Sequence, residues 1–257
     1  MKIAYIGIDL FYPALIALEQ NGCEIAKIFT CKTDNITEFN TQIIKYAKVN
    51  NIPYTLSRIT REDIEEIINM GVNAVICGGY YYLIPVDDRI PMVNIHPTFL
   101  PVGRGAWPMP QLIMGGYEKS GVTMHKIAEK FDTGDIILQK SFLLDRDETH
   151  ETYMEKVYKL LPVMIKELLD DFDRLYSCAI PQGEGEYWEC LDEHSYVMSE
   201  DTDIKEADLI LRAFYGYECL YKIDDRMISV IKGRAVIIKR EGYVYYPVRN
   251  GYIEVEK

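Results

Sequence analysis

The stretch MKIAYIGIDLFYPALIALEQNGCEIAKIFT, residues 1–30, sets the architecture. Lys2 to Ile8 is a short apolar run, as buried strands are. Tyr12 to Asn21 then repeats apolar residues at helical spacing and stops at Asn21-Gly22, and Glu24 to Thr30 returns to strand character. This is a β-α-β unit. The alternation continues with a helix from Thr41 to Lys48, a strand from Tyr54 to Leu56 and a helix from Arg61 to Met70. Two β-patterned runs follow, Ala74 to Cys77 and Met92 to His96. Repetition of this kind predicts an α/β fold with a Rossmann-like, mostly parallel sheet and helices on both faces. The opening strand lacks G-x-G-x-x-G and no Walker loop occurs, so neither phosphate-binding turn is available.

Beyond His96, Gly121 to Ile127 and Asp135 to Leu144 pattern as strands, and Thr149 to Leu175 as one long amphipathic helix. After Ser177 the composition changes. IPQGEGEYW has the Gly and Pro content of a linker, Ile204 to Tyr215 is helical, and from Cys219 the segments are short and β-rich with turns at Asp224-Asp225, Gly233 and Gly242. Two domains are expected: a catalytic domain over residues 1–178, then a linker helix and small C-terminal β-domain over 179–257.

With 48% apolar and 26% charged residues, the 257-residue chain can bury a core without staples. Six cysteines without a C-x-x-C pair suggest neither a disulfide framework nor a metal site. The start carries no secretory signature and no apolar run is long enough to span a bilayer, so a cytoplasmic location with no membrane partner is expected. A net charge of −12 with no Lys/Arg cluster argues against a nucleic-acid partner and leaves room for a small anionic ligand.

The chemistry concentrates in VNIHPTFLPVGRGAWP, residues 93–108. Side chains alternate along a strand, so Asn94 and His96 leave the same face together, and Pro97 ends the ladder just beyond them. The carboxyl end of such a strand is where open α/β sheets bind ligands. The second piece is KFDTGDI, residues 130–136, in which Gly134 makes pliable the loop carrying Asp132 and Asp135. A carboxylate brought to a histidine is expected to raise the imidazole pKa, giving an acid/base pair. Asp135 is read as shaping the loop. His125, His150 and His194 have no partnered motif and are read as structural or exposed.

These residues resemble the formyltransferase family, which includes the glycinamide ribonucleotide, methionyl-tRNA and sugar-nucleotide enzymes. The family pattern is Asn-x-His-(Pro/Ala)-(Ser/Thr)-Leu-Leu-Pro, then Arg-Gly, Gly-Val-Thr and Asp-x-Gly. The chain has Asn94-Ile95-His96-Pro97-Thr98-Phe99-Leu100-Pro101, Arg104-Gly105, Gly121-Val122-Thr123 and Asp132-Thr133-Gly134-Asp135 in the same order. The resemblance implies transfer of a formyl group from 10-formyltetrahydrofolate to an amine, without a metal. Asn94 and His96 would donate to the oxygen that becomes negative, and Asp132 would hold His96 and help remove the amine proton. By the same analogy the folate lies between Tyr81, Leu83, Ile84 and Pro85 on one side and the backbone of Ala128, Glu129, Lys130, Phe131 and Asp132 on the other.

Arg104 is a substrate anchor on this reading, or a solvated loop charge on a plainer one. Trp107 lines the substrate pocket, or packs at a helix start. Some amino-sugar enzymes have a second arginine after Arg-Gly; here that position is Ala106. Among acceptors, a sugar nucleotide bearing an amino group suits the C-terminal β-domain, whereas charged tRNA needs a basic surface that the tail does not offer. A formyl-tetrahydrofolate hydrolase would use the same three residues with water as acceptor, and a silent folate-binding module could dispense with them. The analogy also allows a homodimer.

Overall fold

A computed structural model describes residues 1–35, 38–217 and 219–256. The chain forms two compact units: Met1–Ala106, Gly121–Ser141 and Val157–Tyr187 make the first, and Trp107–Ser120, Phe142–Lys156 and Trp188–Lys257 the second.

The first unit is built on β1 (Lys2–Gly7), α1 (Tyr12–Gln20), β2 (Glu24–Phe29), α2 (Thr41–Val49), β3 (Tyr54–Thr55), α3 (Arg61–Asn69), β4 (Ala74–Gly78), β5 (Met92–His96) and β6 (Arg104–Gly105). The opening segment folds as the β-α-β unit expected. Pro13 sits in the first turn of α1, where its missing N–H costs nothing, and Thr60 and Asp63 close a capping box on α3. After α4 (Pro108–Met114) come β7 (Lys119–Lys126) and β8 (Ile136–Leu143).

The sheet order is β3-β2-β1-β4-β5-β7-β8. Strands β3 to β5 run parallel, and β7 pairs antiparallel with β5, so the sheet is mixed, as the mostly parallel α/β expectation allows. The direction of strand addition reverses between β1 and β4, and the carboxyl ends near that reversal form the crevice of an open α/β sheet. On one face Ile6, Phe29, Ile64, Ile67, Val75, Ile90 and Met92 pack into a continuous core.

The single helix expected over 149–175 is two helices, α5 (His150–Asp170) and α6 (Phe172–Ser177). Asp171 between them takes φ −149° and ψ 48°, which no α-helix accommodates. After β9 (Tyr187–Trp188), the second unit contains β10 (Val197–Met198), α7 (Ile204–Ala213), β11 (Cys219–Ile223), β12 (Arg226–Val230), β13 (Gly233–Val236), β14 (Tyr243–Val248) and β15 (Gly251–Glu256). They form two three-stranded sheets, β10-β11-β12 and β13-β15-β14.

The turn expected at Asp224-Asp225 is the two-residue loop of the β11–β12 hairpin, with Asp224 at φ 51°. Gly233 instead begins β13, where an added Cβ would lie 2.9 Å from Val230. The core of this unit gathers Met198, Ile210, Leu211, Phe214, Tyr221, Val230 and Ile253. Among the described residues, no helix is long and apolar enough to cross a membrane.

Candidate active site

Strand β5 ends in a polar pair. Ile95 is buried on one face, and Asn94 and His96 share the other, as the alternation requires. The antiparallel register sets His125 directly opposite Asn94 and Thr123 opposite His96. The loop after β5, whose Leu100-Pro101 peptide is cis, is tied back to β7. The Leu100 N–H donates to Thr123 Oγ1, which donates in turn to the Thr98 carbonyl. Gly121 in the same strand allows this closeness, because a Cβ there would sit 2.9 Å from the Phe99 ring of that loop.

Asp132 is delivered from the β7–β8 turn in a left-handed backbone conformation, φ 54°. One carboxylate oxygen, Oδ1, lies 3.2 Å from Asn94 Nδ2 and 3.4 Å from both His96 Nδ1 and His125 Nε2. The other accepts the Gly105 N–H at 2.9 Å. The structure thus brings Asn94, His96 and Asp132 together and adds His125, whose side chain is 2% exposed. The Arg-Gly motif contributes here through the main chain of Gly105.

The tautomers follow from partners that can only accept. His96 Nε2 is 2.7 Å from the Gly103 carbonyl, so its N–H donates there and Nδ1 is left facing Asp132. His125 Nδ1–H donates to the Lys126 carbonyl at 2.7 Å, so Nε2 accepts from Asn94 at 3.0 Å in the neutral ring. Both N–H bonds of the Asn94 amide are therefore engaged, one by His125 and one by Asp132, and this pairing fixes the amide's orientation.

Burial disfavours both charges, with opposite outcomes. At Asp132 burial pushes the carboxyl up, but His96, His125 and the Gly105 N–H together outweigh it and hold the group at about 2. At His96 burial wins over the attraction of Asp132 and the Gly103 carbonyl, and the pKa is lowered. The upward shift expected from the carboxylate alone is thereby corrected, because a fully enclosed imidazolium loses more hydration than one carboxylate returns.

The residues expected to hold the folate occupy two segments of the first unit. After β4, Tyr81 and Leu83 are exposed, Pro85 is half-buried and Ile84 is buried in the core. After β7, Ala128 is half-buried, and Glu129, Lys130 and Phe131 are exposed. Among the described residues, none of the N–H groups of 128–131 donates a main-chain hydrogen bond. An exposed apolar loop and a row of free backbone donors suit a flat heterocycle with a polar edge.

Arg104 directs four N–H bonds onto protein acceptors: two to Gln182 Oε1 and one each to the carbonyls of Gly183 and Gly185. Trp107 falls in the second unit, where its ring packs on Phe214, Tyr217 and His150 at centroid distances of 5.3, 5.1 and 6.4 Å. Asp135 pairs with Lys126 at 3.5 Å. Among the described residues, no group of three or more His, Cys, Asp or Glu side chains is placed to hold a metal ion.

Sequence reasoning missed His125 and Gln182. The signal for His125 lay in GVTMH, where Thr123 and His125 alternate as Asn94 and His96 do, but the β5–β7 register had to be known for it to count. Gln182 gave no signal inside a stretch with linker composition.

Residues 4–168 match the family model described as formyl transferase. The methionyl-tRNA formyltransferase of Ehrlichia chaffeensis is 28% identical over 247 residues, spanning 90% of this chain and 80% of that one. With the Ehrlichia canis and Ehrlichia ruminantium enzymes of the same name the match spans only 62% and 61% of their lengths. Among solved structures, an N-formyltransferase from Helicobacter canadensis in complex with folinic acid and dTDP-3-aminofucose superposes with a TM-score of 0.67 at 17% identity, covering 100% of this chain and 98% of that one. HypX from Aquifex aeolicus in complex with tetrahydrofolic acid gives a TM-score of 0.71 at 17% identity, covering 99% of this chain and 43% of that one. With the family model spanning most of its length, this chain belongs to the formyl transferase family.

Proposed function

We propose that the protein is an N-formyltransferase that moves the formyl group of 10-formyltetrahydrofolate to the amine of a nucleotide-linked amino sugar in the cytoplasm. The observation that carries the transfer chemistry is the buried convergence of Asn94, His96 and His125 on one oxygen of Asp132. When an amine attacks the formyl carbon, the carbonyl oxygen gains negative charge and the nitrogen must lose a proton. The longer Asn94 hydrogen bond, 3.2 Å to Asp132, is the one a formyl oxygen can take over while the bond to His125 keeps the amide aimed. Nδ1 of His96 is the second position from which a donor can reach that oxygen once it carries a proton. Asp132, ionised at neutral pH, accepts the proton shed by the amine directly or through a water, and returns it toward the departing folate nitrogen. Tyr81, Leu83, Ile84 and Pro85 with the backbone of 128–132 hold the donor.

A small acceptor is favoured by charge. The chain is at −12, and five cations of the second unit are paired with carboxylates of that unit: Arg234 and Arg240 with the buried Glu254, Lys232 with Glu151, Arg212 with Asp208 and Arg249 with Asp203. A polyanion needs unpaired cations along its track. The name shared by the Ehrlichia relatives supports the second reading, charged initiator tRNA as acceptor. The discriminating experiment supplies the protein with 10-formyltetrahydrofolate and either a panel of nucleotide-linked amino sugars or charged initiator tRNA, and follows tetrahydrofolate release. Turnover with amino sugars supports the proposal, turnover with tRNA alone replaces the acceptor, and release without any amine indicates a hydrolase.

A further inference from the structure

IPQGEGEYW has the composition of a linker, yet in the folded first unit residues 180–185 form a strap pinned along its length. At one end Ile180 and Ile136 exchange two main-chain hydrogen bonds, at 2.8 and 2.9 Å. At the other, Gly185 lies so close to the loop after β5 that an added Cβ would be 2.6 Å from the Pro101 carbonyl. Between these ends stands Gln182, whose side chain faces two ways. Its Nε2 donates to the carbonyls of Asp132 at 3.0 Å and Gly134 at 2.6 Å, and its Oε1 accepts twice from Arg104 at 3.0 and 2.9 Å.

Within the turn that Gln182 grips, the Thr133 hydroxyl donates to the Lys130 carbonyl at 3.1 Å and the Lys126 N–H to the Asp135 carbonyl at 2.9 Å. Asp132 holds a left-handed conformation that side-chain-bearing residues rarely adopt. On the inner side, Gly134 is pressed against β7, with a virtual Cβ only 1.9 Å from the Lys126 carbonyl. The carboxylate itself is held by the Gly105 N–H and the Asn94 amide, but the backbone carrying it is held from outside by Gln182. Arg104 fixes the direction of that amide, because a guanidinium can only donate and so must face Oε1, leaving both amide hydrogens for the turn.

We propose that Gln182 is a positioning residue for formyl transfer: oriented by Arg104, its amide clamps the Asp132–Gly134 turn and sets the place of the Asp132 carboxylate beside His96. This rests on the formyl-transfer reading of the site. In it, Arg104 acts through Gln182 on the geometry of the site.

Two variants of the full chain separate this role from simple tethering of the strap. Gln182→Met keeps the length and removes both polar functions. Gln182→Glu keeps an acceptor for Arg104 and loses the donors to the turn. Misplacing a reacting group by about an ångström costs on the order of 100-fold. Both variants are therefore expected to lower kcat about 10- to 100-fold, with KM for both substrates changed less than about threefold and thermal unfolding close to wild type. A second readout needs no turnover: the NMR titration of the His96 ring, expected to move in the neutral Gln182→Met variant. Wild-type kcat in Gln182→Glu with an unchanged acid limb of its pH profile would overturn the proposal, leaving Gln182 as a tether through Arg104. An unshifted His96 titration in Gln182→Met would do the same. If wild type transfers formyl to no amine, the functional reading fails, and the His96 titration still decides the clamp.

Discussion

His96 in the first unit and His150 in the second are both enclosed, at 5% and 3% exposure, and burial lowers both pKa values. Their surroundings differ. His96 has a carbonyl acceptor on one nitrogen and a carboxylate facing the other. His150 sits edge-on to Tyr217 at 4.5 Å and to Trp107 at 6.4 Å, and its Nε2 has no hydrogen-bond partner among the described residues. With nothing to offset burial, its pKa falls to about 3. A buried imidazole among aromatic rings is a packing element, whereas one set against a carboxylate and a fixed carbonyl can hold and release a proton. Burial alone does not mark a functional histidine; the partners do.

The comparison can be broken most sharply at Asp132. Asp132→Asn removes the proton acceptor and the charge facing His96, and kcat for formyl transfer is expected to drop on the order of 1,000- to 10,000-fold. A rate within tenfold of wild type would remove Asp132 from the chemistry. Asn94→Ala deletes one donor to the developing oxyanion, with an expected loss of about 100- to 1,000-fold in kcat and a smaller change in KM. His125→Leu leaves the Asn94 amide free to turn, so a loss of about 10- to 100-fold is expected, read from kcat with binding of the donor retained. If His125→Leu matched wild type, the antiparallel partner would be a bystander.

The smallest effect on rate is expected at His150. His150→Phe keeps an aromatic ring and removes an unpartnered buried nitrogen, so kcat should be unchanged and the melting temperature equal or higher. The sign of its pH dependence follows from the shift. The unfolded chain binds a proton at His150 near pH 6.5 and the folded chain only near 3, so this group makes stability fall as pH drops through that window. In His150→Phe this part of the fall disappears, and melting curves collected from pH 7 to pH 4 would show it. The stability that Asp132 contributes is lost lower, from about pH 4 toward 2, because its folded value is depressed. Equal pH slopes in wild type and His150→Phe would show that the aromatic pocket hydrates the ring.

Much of the fold was legible because each signal was local. The β-α-β unit of residues 1–30, the helix stop at Asn21-Gly22 and the Asp224-Asp225 turn all depend on neighbours within one or two turns of chain. The long helix over 149–175 was misread because a helical period persists through Asp171, where only backbone conformation marks the break. Asn94, His96 and Asp132 were legible together because strand alternation and a motif with fixed order place them. His125 and Gln182 were not, since each acquires its meaning from a residue far along the chain, Asn94 and Asp132 respectively.

The sequence by itself determined that an α/β sheet would present Asn94 and His96 from one strand end, since alternation and hydrophobic period are properties of consecutive residues. Only the tertiary structure decided that β7 runs antiparallel to β5 and brings His125 onto the same carboxylate, and that a linker-like strap holds the Asp132 turn. It also decided the direction in which His96 titrates. Register, enclosure and the balance between desolvation and attraction depend on what packs around a group, and distant segments supply that only after the chain has folded.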